Sequence, residues 1–578
     1  ASGCGESARY DAADGSSRHS MSRSRPTGRS LRRLLLPLAA AWPCLLAATG
    51  AAQVPAGAPR VKGSVEVSLV NVDVVVTGKD GRPVEGLSAS DFTVLHGKKP
   101  AAITNFREES AAPRPTVAPA PAPAPAPAPE ETAAALPEPP PARRHVVLFV
   151  DHLALPDARE REQVFGALKS LVRRTVRPGD GVMVVTWRFG VRSAWPFTDD
   201  VALVERQLDA AALGTIRLGL QAQNELDQFA ATEAFSVWAG VPPDTSLSRN
   251  LSVEQAYNEF KGKASAILGL ISTMAGMEGK KVLVIASRSL SRRPGAELAG
   301  TRVDTGPLLD EIAARANAAG VTIHSLYAAA WQSEMPNVTD SRFSNPRIAG
   351  SASVVRADDK RLDELTGLDK LTGRTGGVLV ATTMESPLFA DRVASDLVHW
   401  YSLGYPVPAG ADVAARVSVR VNRPGAKVRA RRDVGDRTPV QRIEDRVLAN
   451  LFRADEGSRL PITLTAGSPV EEGRKRFVTT AHVRVPVRHL VLLPGADGHR
   501  GAVSVFWVAA DPGGEFSDVK RERHDVVLPA DAAGPESKVE LNLELRLEAA
   551  DPGARISIAA WDETGGEAGF GLIRPAAR

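Results

Sequence analysis

Between residues 110 and 143 the chain is dominated by Ala–Pro repeats, running through Ala118 to Pro129 and ending in Pro139-Pro140-Pro141. A segment of this kind, with Val117 and Leu136 as its only apolar side chains larger than alanine and proline, cannot build a core, and its prolines favour extended polyproline II, so it reads as a semi-rigid spacer. Whatever folds must therefore fold on either side of it. At 578 residues the chain also exceeds what one hydrophobic core supports, and several domains are expected.

Upstream of the spacer, Val65 to Val76 is a long strand-like run. Asp80-Gly81 follows as a turn, and further β-like stretches reach Phe106. Asp-Gly between such runs is a hairpin signal, and residues 61–109 read as a small β-sandwich-like module. Before it, Met21 opens a leader in which Arg23, Arg25, Arg29, Arg32 and Arg33 precede an apolar run from Leu34 to Ala48, closed by small residues up to Ala52. This is the layout of a secretory signal peptide, with a retained anchor as the alternative. The polar residues 1–20 read as lying upstream of the natural start, which makes 1–52 extension plus leader. The expected location is periplasmic or extracellular, with no membrane span in the mature chain. Residues 1–52 carry seven Arg against three acids, 7 − 3 = +4, which is the whole net charge of the protein. The rest is neutral, so nothing marks a nucleic-acid binder, which needs its cations on the folded part. Both cysteines, Cys4 and Cys44, lie in the same stretch, leaving no thiol for a disulfide or a soft-metal site.

Downstream of the spacer, strand and helix patterns alternate. His145 to Val150 is an unbroken apolar run, as a strand covered on both faces requires. Val164, Leu168, Leu171 and Val172 recur at helical spacing, as do Phe260, Ala264, Ile267, Leu268, Ile271 and Met274. Strands are expected at Gly181–Trp187, Lys281–Ala286, Val321–Tyr327 and Val378–Ala381, and an antiparallel edge at Val191–Phe197. Alternation of this kind implies an α/β domain, doubly wound in the Rossmann manner, over residues 144–435. A 416–431 hairpin is expected at its sheet edge. The long insertion 221–250, with Phe229, Phe235 and Trp238, is either a lid or a loop with its own small core. From residue 441 to the end only strands and Gly/Pro/Asp turns are expected, a C-terminal β-sandwich. The fold class is thus α/β plus β.

Several motifs recur in a fixed order: Asn71-Val72-Asp73-Val74-Val75-Val76, Leu87-Ser88-Ala89-Ser90-Asp91-Phe92, Pro178-Gly179-Asp180, Thr375-Gly376-Gly377, Tyr401-Ser402-Leu403-Gly404-Tyr405 and Trp561-Asp562-Glu563. With a strand ending in Asp151, this series resembles the von Willebrand factor A-related secreted proteins of acidobacteria, over nearly the whole mature chain. Domains of that type hold Mg²⁺ or Mn²⁺ through an Asp-x-Ser-x-Ser loop, a Thr and a distal Asp. Carried over, the first Asp is Asp151, but Leu153 and Leu155 stand at the two Ser positions. Thr215 could supply the Thr, and the distal Asp position falls on Ser287 or Arg288. Hard cations need oxygen ligands, which isobutyl groups cannot supply, so a degenerate site without metal is expected and no cofactor is implied. Asp151 then reads as a cap for neighbouring backbone N–H groups.

In an open α/β sheet the crevice beyond the carboxyl ends of the strands is the usual ligand site. Its expected components are Asp151, His152, Thr215 and Ser287 with Arg288, Arg292 and Arg293; the Arg group either attracts an acidic partner or is a solvated loop. No phosphate-binding loop, His-Glu-x-x-His or paired-Cys motif is present, and Trp400-Tyr401-Ser402-Leu403-Gly404 lacks the glycine of a nucleophile elbow. The expectation is a non-enzymatic adhesion or scaffolding protein that binds a protein or envelope-surface ligand. The alternatives are a metal-dependent or hydrolytic envelope enzyme built on Asp151 and His152, and a purely structural envelope component.

Overall fold

The computed structural model describes residues 69–574 apart from internal stretches, the longer being 111–142, 215–244, 295–302, 328–349, 382–385 and 408–411. The leader, the Ala–Pro segment, Thr215 and most of the 221–250 insertion therefore lie outside the described residues. All described residues belong to one compact unit.

Four strands come from the N-terminal segment: β1 (Leu69–Thr77), β2 (Phe92–His96), β3 (Lys99–Ala101) and β4 (Asn105–Ser110). They do not close a module by themselves. Strands β11 (His399–Pro406), β12 (Val417–Val421) and β13 (Lys427–Ala430), from the far side of the α/β region, join them in two sheets ordered β13–β1–β11–β4 and β12–β2–β3. β11 is buried on both faces through Trp400, Tyr401, Leu403, Gly404 and Tyr405, so it has to lie inside a sheet rather than at an edge. It does so between β1, where Leu403 pairs with Val72, and β4, where it pairs with Phe106. Val72, Val74, Val76, Phe92 and Val94 form one core with Tyr401, Leu403 and Tyr405. Two expectations are corrected. The 61–109 segment is not self-contained, and the two strands expected as a 416–431 hairpin do not pair with each other: β12 pairs with β2 and β13 with β1, so they extend this N-terminal unit rather than the α/β sheet. The α/β region proper ends near residue 398.

The central sheet has the order β10–β9–β8–β5–β6–β7. Its parallel members are β5 (Arg144–Asp151), β6 (Gly181–Trp187), β8 (Lys280–Ala286), β9 (Val321–Tyr327) and β10 (Leu379–Ala381), with β7 (Val191–Ala194) antiparallel at one edge. Alternate residues of β5 face opposite layers. Val146, Leu148 and Val150 pack on α1 (Ala158–Thr175), α2 (201–214) and α6 (Ser386–Val398). Val147 and Phe149 pack on α3 (Thr245–Ala275), α4 (Gly306–Ala319) and α5 (Gly350–Thr375). The last residues of the 221–250 insertion open α3. Between β5 and β8 the connections leave toward opposite faces, and this switch point positions the site described below.

The C-terminal part begins with a helix where strands and turns alone were expected. In α7 (Pro439–Asn450), Thr438 accepts from the Gln441 N–H at 3.2 Å while Gln441 accepts from Thr438 N at 3.0 Å, a reciprocal cap with Pro439 at the first turn. Ile443, Val447 and Leu448 are its buried face. Beyond it, nine strands from β14 (Thr463–Ala466) to β22 (Ala568–Ile573) form two antiparallel sheets. α7 lies between α3 and one of them: Asn450 Nδ2 donates to Ser557 Oγ at 2.9 Å and to the Gly571 carbonyl at 3.1 Å. Phe506, Val508 and Trp561 share a core with Phe260, Ile267 and Val447, so the hydrophobic interior continues from the α/β layer into this end. No helix among the described residues is long and apolar enough to cross a membrane.

Candidate functional site

β5 and β8 run in parallel with Val150 opposite Ala286, so the next residue of each, Asp151 and Ser287, meet at the carboxyl edge of the sheet. Asp151 is fully buried. Its Oδ1 accepts from the Leu153 N–H at 3.1 Å, capping the short turn His152–Ala154 as the sequence predicts. Its Oδ2 accepts from Ser287 Oγ at 2.7 Å and forms an ion pair with Lys263 Nζ. Lys263, on α3, is itself 0 % exposed. The ammonium also lies 3.2 Å from Glu259 Oε1, one helical turn back, and 4.8 Å from the centre of the Trp187 ring. Two carboxylates and an aromatic face thus surround one positive charge, the pairing that a buried charge requires.

Lys263 was not among the expected site residues. The spacing nevertheless carries a sign of it: Lys263 falls on the stripe formed by Phe260, Ala264, Ile267 and Ile271, where a lysine is enclosed unless the helix faces water. Its presence bears on how well the described residues suit a metal. Asp151 and Ser287 are oxygen donors suited to Mg²⁺ or Mn²⁺, yet a unit positive charge already stands against the Asp151 carboxylate, and a second cation beside it would be repelled where both groups are fully buried. Leu153 and Leu155 lie on either side. Leu155 is fully buried in the layer of α1, while Leu153 packs partly exposed against the opposite one. The residues present do not fit a resident divalent ion.

His152 is 8 % exposed, and its Nε2 has no hydrogen-bond partner among the described residues. Burial pushes its pKa down to about 4; Asp151 opposes the shift and Arg188 adds to it. The imidazole is therefore neutral. It packs so closely on α2 that a Cβ at Gly214 would come within 3.2 Å of the ring.

The loop after β8 is firmly seated. Leu290 is buried, and an ideal Cβ at Gly367 would stand 1.9 Å from the Leu290 carbonyl, so only glycine lets α5 approach this far. Asp363 accepts from Arg293 N at 2.7 Å and from the Ser291 hydroxyl. The three arginines expected here each face a carboxylate: Arg288 lies 3.9 Å from Glu160, Arg292 3.6 Å from Asp304 and Arg293 3.6 Å from Asp363. They do not form an uncompensated basic patch. The other prominent feature of this edge is the β6–β7 turn, where Phe189 has φ 52° and is 58 % exposed, with Arg188 6.0 Å from its ring. A bulky residue held in the left-handed region and presented to solvent is uncommon, and local sequence pattern does not reveal it.

No family model and no curated protein matches the chain. Among solved structures, an aerotolerance-related membrane protein from Bacteroides fragilis aligns over 44 % of this chain and 98 % of its own, at 10 % identity and a TM-score of 0.21. BatB from Bacteroides thetaiotaomicron, described as a conserved hypothetical protein, aligns over 44 % and 98 %, at 9 % identity and a TM-score of 0.19.

Proposed function

We propose that this chain is an exported, non-enzymatic adhesion or scaffolding protein of the von Willebrand factor A type, whose carboxyl sheet edge engages a protein or envelope-surface ligand without a metal bridge. The observation that carries the reading is the Lys263 ammonium held against Asp151 and Glu259. A metal-bridged edge recruits its ligand by leaving one coordination position open. Here the charge is supplied from inside by a side chain with no open position, so recognition falls to the groups displayed around it. Phe189 is the foremost of these, since an exposed ring fixed on a tight turn presents a large contact area at low conformational cost. Arg292 and Arg293, 51 % and 66 % exposed along the same edge, supply polar contacts.

A hydrolytic or metal-dependent envelope enzyme is the weaker reading. A general base works best with a pKa near the operating pH, whereas His152 sits at about 4 and both Asp151 oxygens are engaged. The test is capture of envelope-fraction partners by the purified mature chain, with and without EDTA, alongside Phe189→Ser and an elemental analysis. The expected result is a capture indifferent to EDTA and lost in the variant. Stoichiometric magnesium or manganese, or capture abolished by EDTA, would overturn it.

A further inference from the structure

At the opposite, amino edge of the parallel sheet two cavities of about 650 and 760 Å³ adjoin and share Ala275, Arg437 and Arg442. The first opens between β1 and β11 of the N-terminal unit and the start of β8 and β9; the second continues between the end of α3 and α7. Nine basic and five acidic side chains line the pair, an excess of 9 − 5 = 4 positive charges. Outside residues 1–52 the chain carries 71 − 7 = 64 basic and 67 − 3 = 64 acidic residues. In a body with no net charge, a surplus of this size in one seam is a local concentration rather than a share of a basic surface.

The cations converge. A Cβ at Gly320 would lie 3.5 Å from Arg431 Nη1 and 4.0 Å from Lys281 Nζ, so the two reach the same spot, Lys281 from β8 and Arg431 from just beyond β13. Neither spends its hydrogen bonds on a carboxylate. Lys281 donates to the Met277 carbonyl at 3.0 Å, and Arg431 donates to the carbonyls of Asn317, at 2.6 Å, and Asn71, while its buried Nε has no partner among the described residues. Burial, together with Arg431 and Arg437, pushes Lys281 down to about 8 despite Asp73 and Glu278. Arg437, paired with Asp445, is pushed to about 10 by burial and by Arg315. Positive charges held together against their own repulsion, in a cleft of ligand size, gain most from a multivalent anion.

We propose that this seam binds a small oxyanion carrying two or more phosphate or carboxylate groups, gripped by Lys281, Arg431 and Arg437. Guanidinium groups suit either chemistry because their paired N–H donors match two oxygens at once. Such a ligand would touch the N-terminal unit, the central sheet and the approach to α7 together, and would tie the three in place. The site is independent of the carboxyl edge, so its failure leaves the reading of that edge untouched.

The test uses the full chain with pyrophosphate in one arm and citrate in the other, followed by calorimetry and thermal unfolding against sodium chloride of equal ionic strength. Saturable binding is expected in at least one arm, and the arm that binds tighter identifies the chemistry. Affinity is expected to fall at least about tenfold in Lys281→Met and in Arg437→Gln, the loss of one charge-assisted contact. Arg292→Gln at the far edge is expected to leave it unchanged. No binding at millimolar concentration in either arm, or equal binding by the two cleft variants and the wild-type chain, would overturn the proposal.

Discussion

Replacing Lys263 by Met takes the cation away from Asp151 and leaves the rest of the site in place. Met has about the volume of the lysine stem, so no large cavity opens, and the change is chiefly electrostatic. The Asp151 carboxylate keeps the Leu153 N–H and the Ser287 hydroxyl but is left fully buried without its countercharge. Breaking a buried pair by removing one partner costs about 3–5 kcal/mol. At about 2.1 cal/mol/K of unfolding entropy per residue, a cooperative unit of roughly 500 residues shifts its melting temperature by about 1 °C per kcal/mol, so a fall of about 3–5 °C is expected by calorimetry at neutral pH. The double variant Lys263→Met/Asp151→Asn removes both charges and keeps the hydrogen-bonding shape; it is expected to be more stable than Lys263→Met alone. A Lys263→Met protein within about 1 kcal/mol of the wild type, or single-variant losses that simply add in the double, would refute the assignment of this ammonium as the internal countercharge.

Three further outcomes are expected. Lys263→Ser frees Asp151, Glu259 and Ser287 for a hard cation, so manganese should raise the melting temperature of that variant and leave the wild type unchanged; a shift in both or neither contradicts the site description. His145, His152 and His324 are each pushed down to about 4 by burial, so the folded protein excludes protons that the unfolded chain takes up below about 6.5. Stability from this source is fully present above that pH and is lost as pH falls toward 4, by about 1.4 kcal/mol per pH unit for each histidine, and urea melts at pH 7.5, 6 and 5 would show it. Gly367→Ala drives a methyl group into the Leu290 carbonyl and should cost about 1–3 kcal/mol, read by thermal unfolding, whereas Gly373→Ala, with open space at its Cβ in the same helix, should stabilise by about 0.5–1 kcal/mol.

Much of the α/β region was legible because its strands carry unbroken apolar runs, which only burial on both faces explains, and the meeting of Asp151 with Ser287 follows from where two parallel strands end. Strand partnership was not legible. Nothing in the local pattern of Tyr401 to Tyr405 says that its neighbours are Val72 and Phe106, some 300 residues earlier, and proximity in sequence to the α/β elements led to the wrong sheet. Lys263 was passed over because lysine is usually exposed, although the stripe around it pointed inward. α7 was readable, since Thr438, Pro439 and Gln441 carry a start signal, but the strand-rich sequence after it dominated the reading. Phe189 depends on a backbone angle that no periodicity encodes.

The placement of β11 has a consequence for the order in which the molecule can be made. Ser110 pairs with His399 and Leu69 with Pro406, so these partners are separated by 399 − 110 = 289 and 406 − 69 = 337 residues. β1 to β4 emerge first and must wait, with a bare slot for the missing middle strand, until the whole of the α/β region has followed. Contacts of such long range slow assembly, and open strand edges invite pairing with other chains in the interval. Maturation of the first hundred residues is therefore timed by the arrival of residues 399–430, and a ribosome that stalls before them leaves behind a nascent chain whose earliest β-structure has no way to finish.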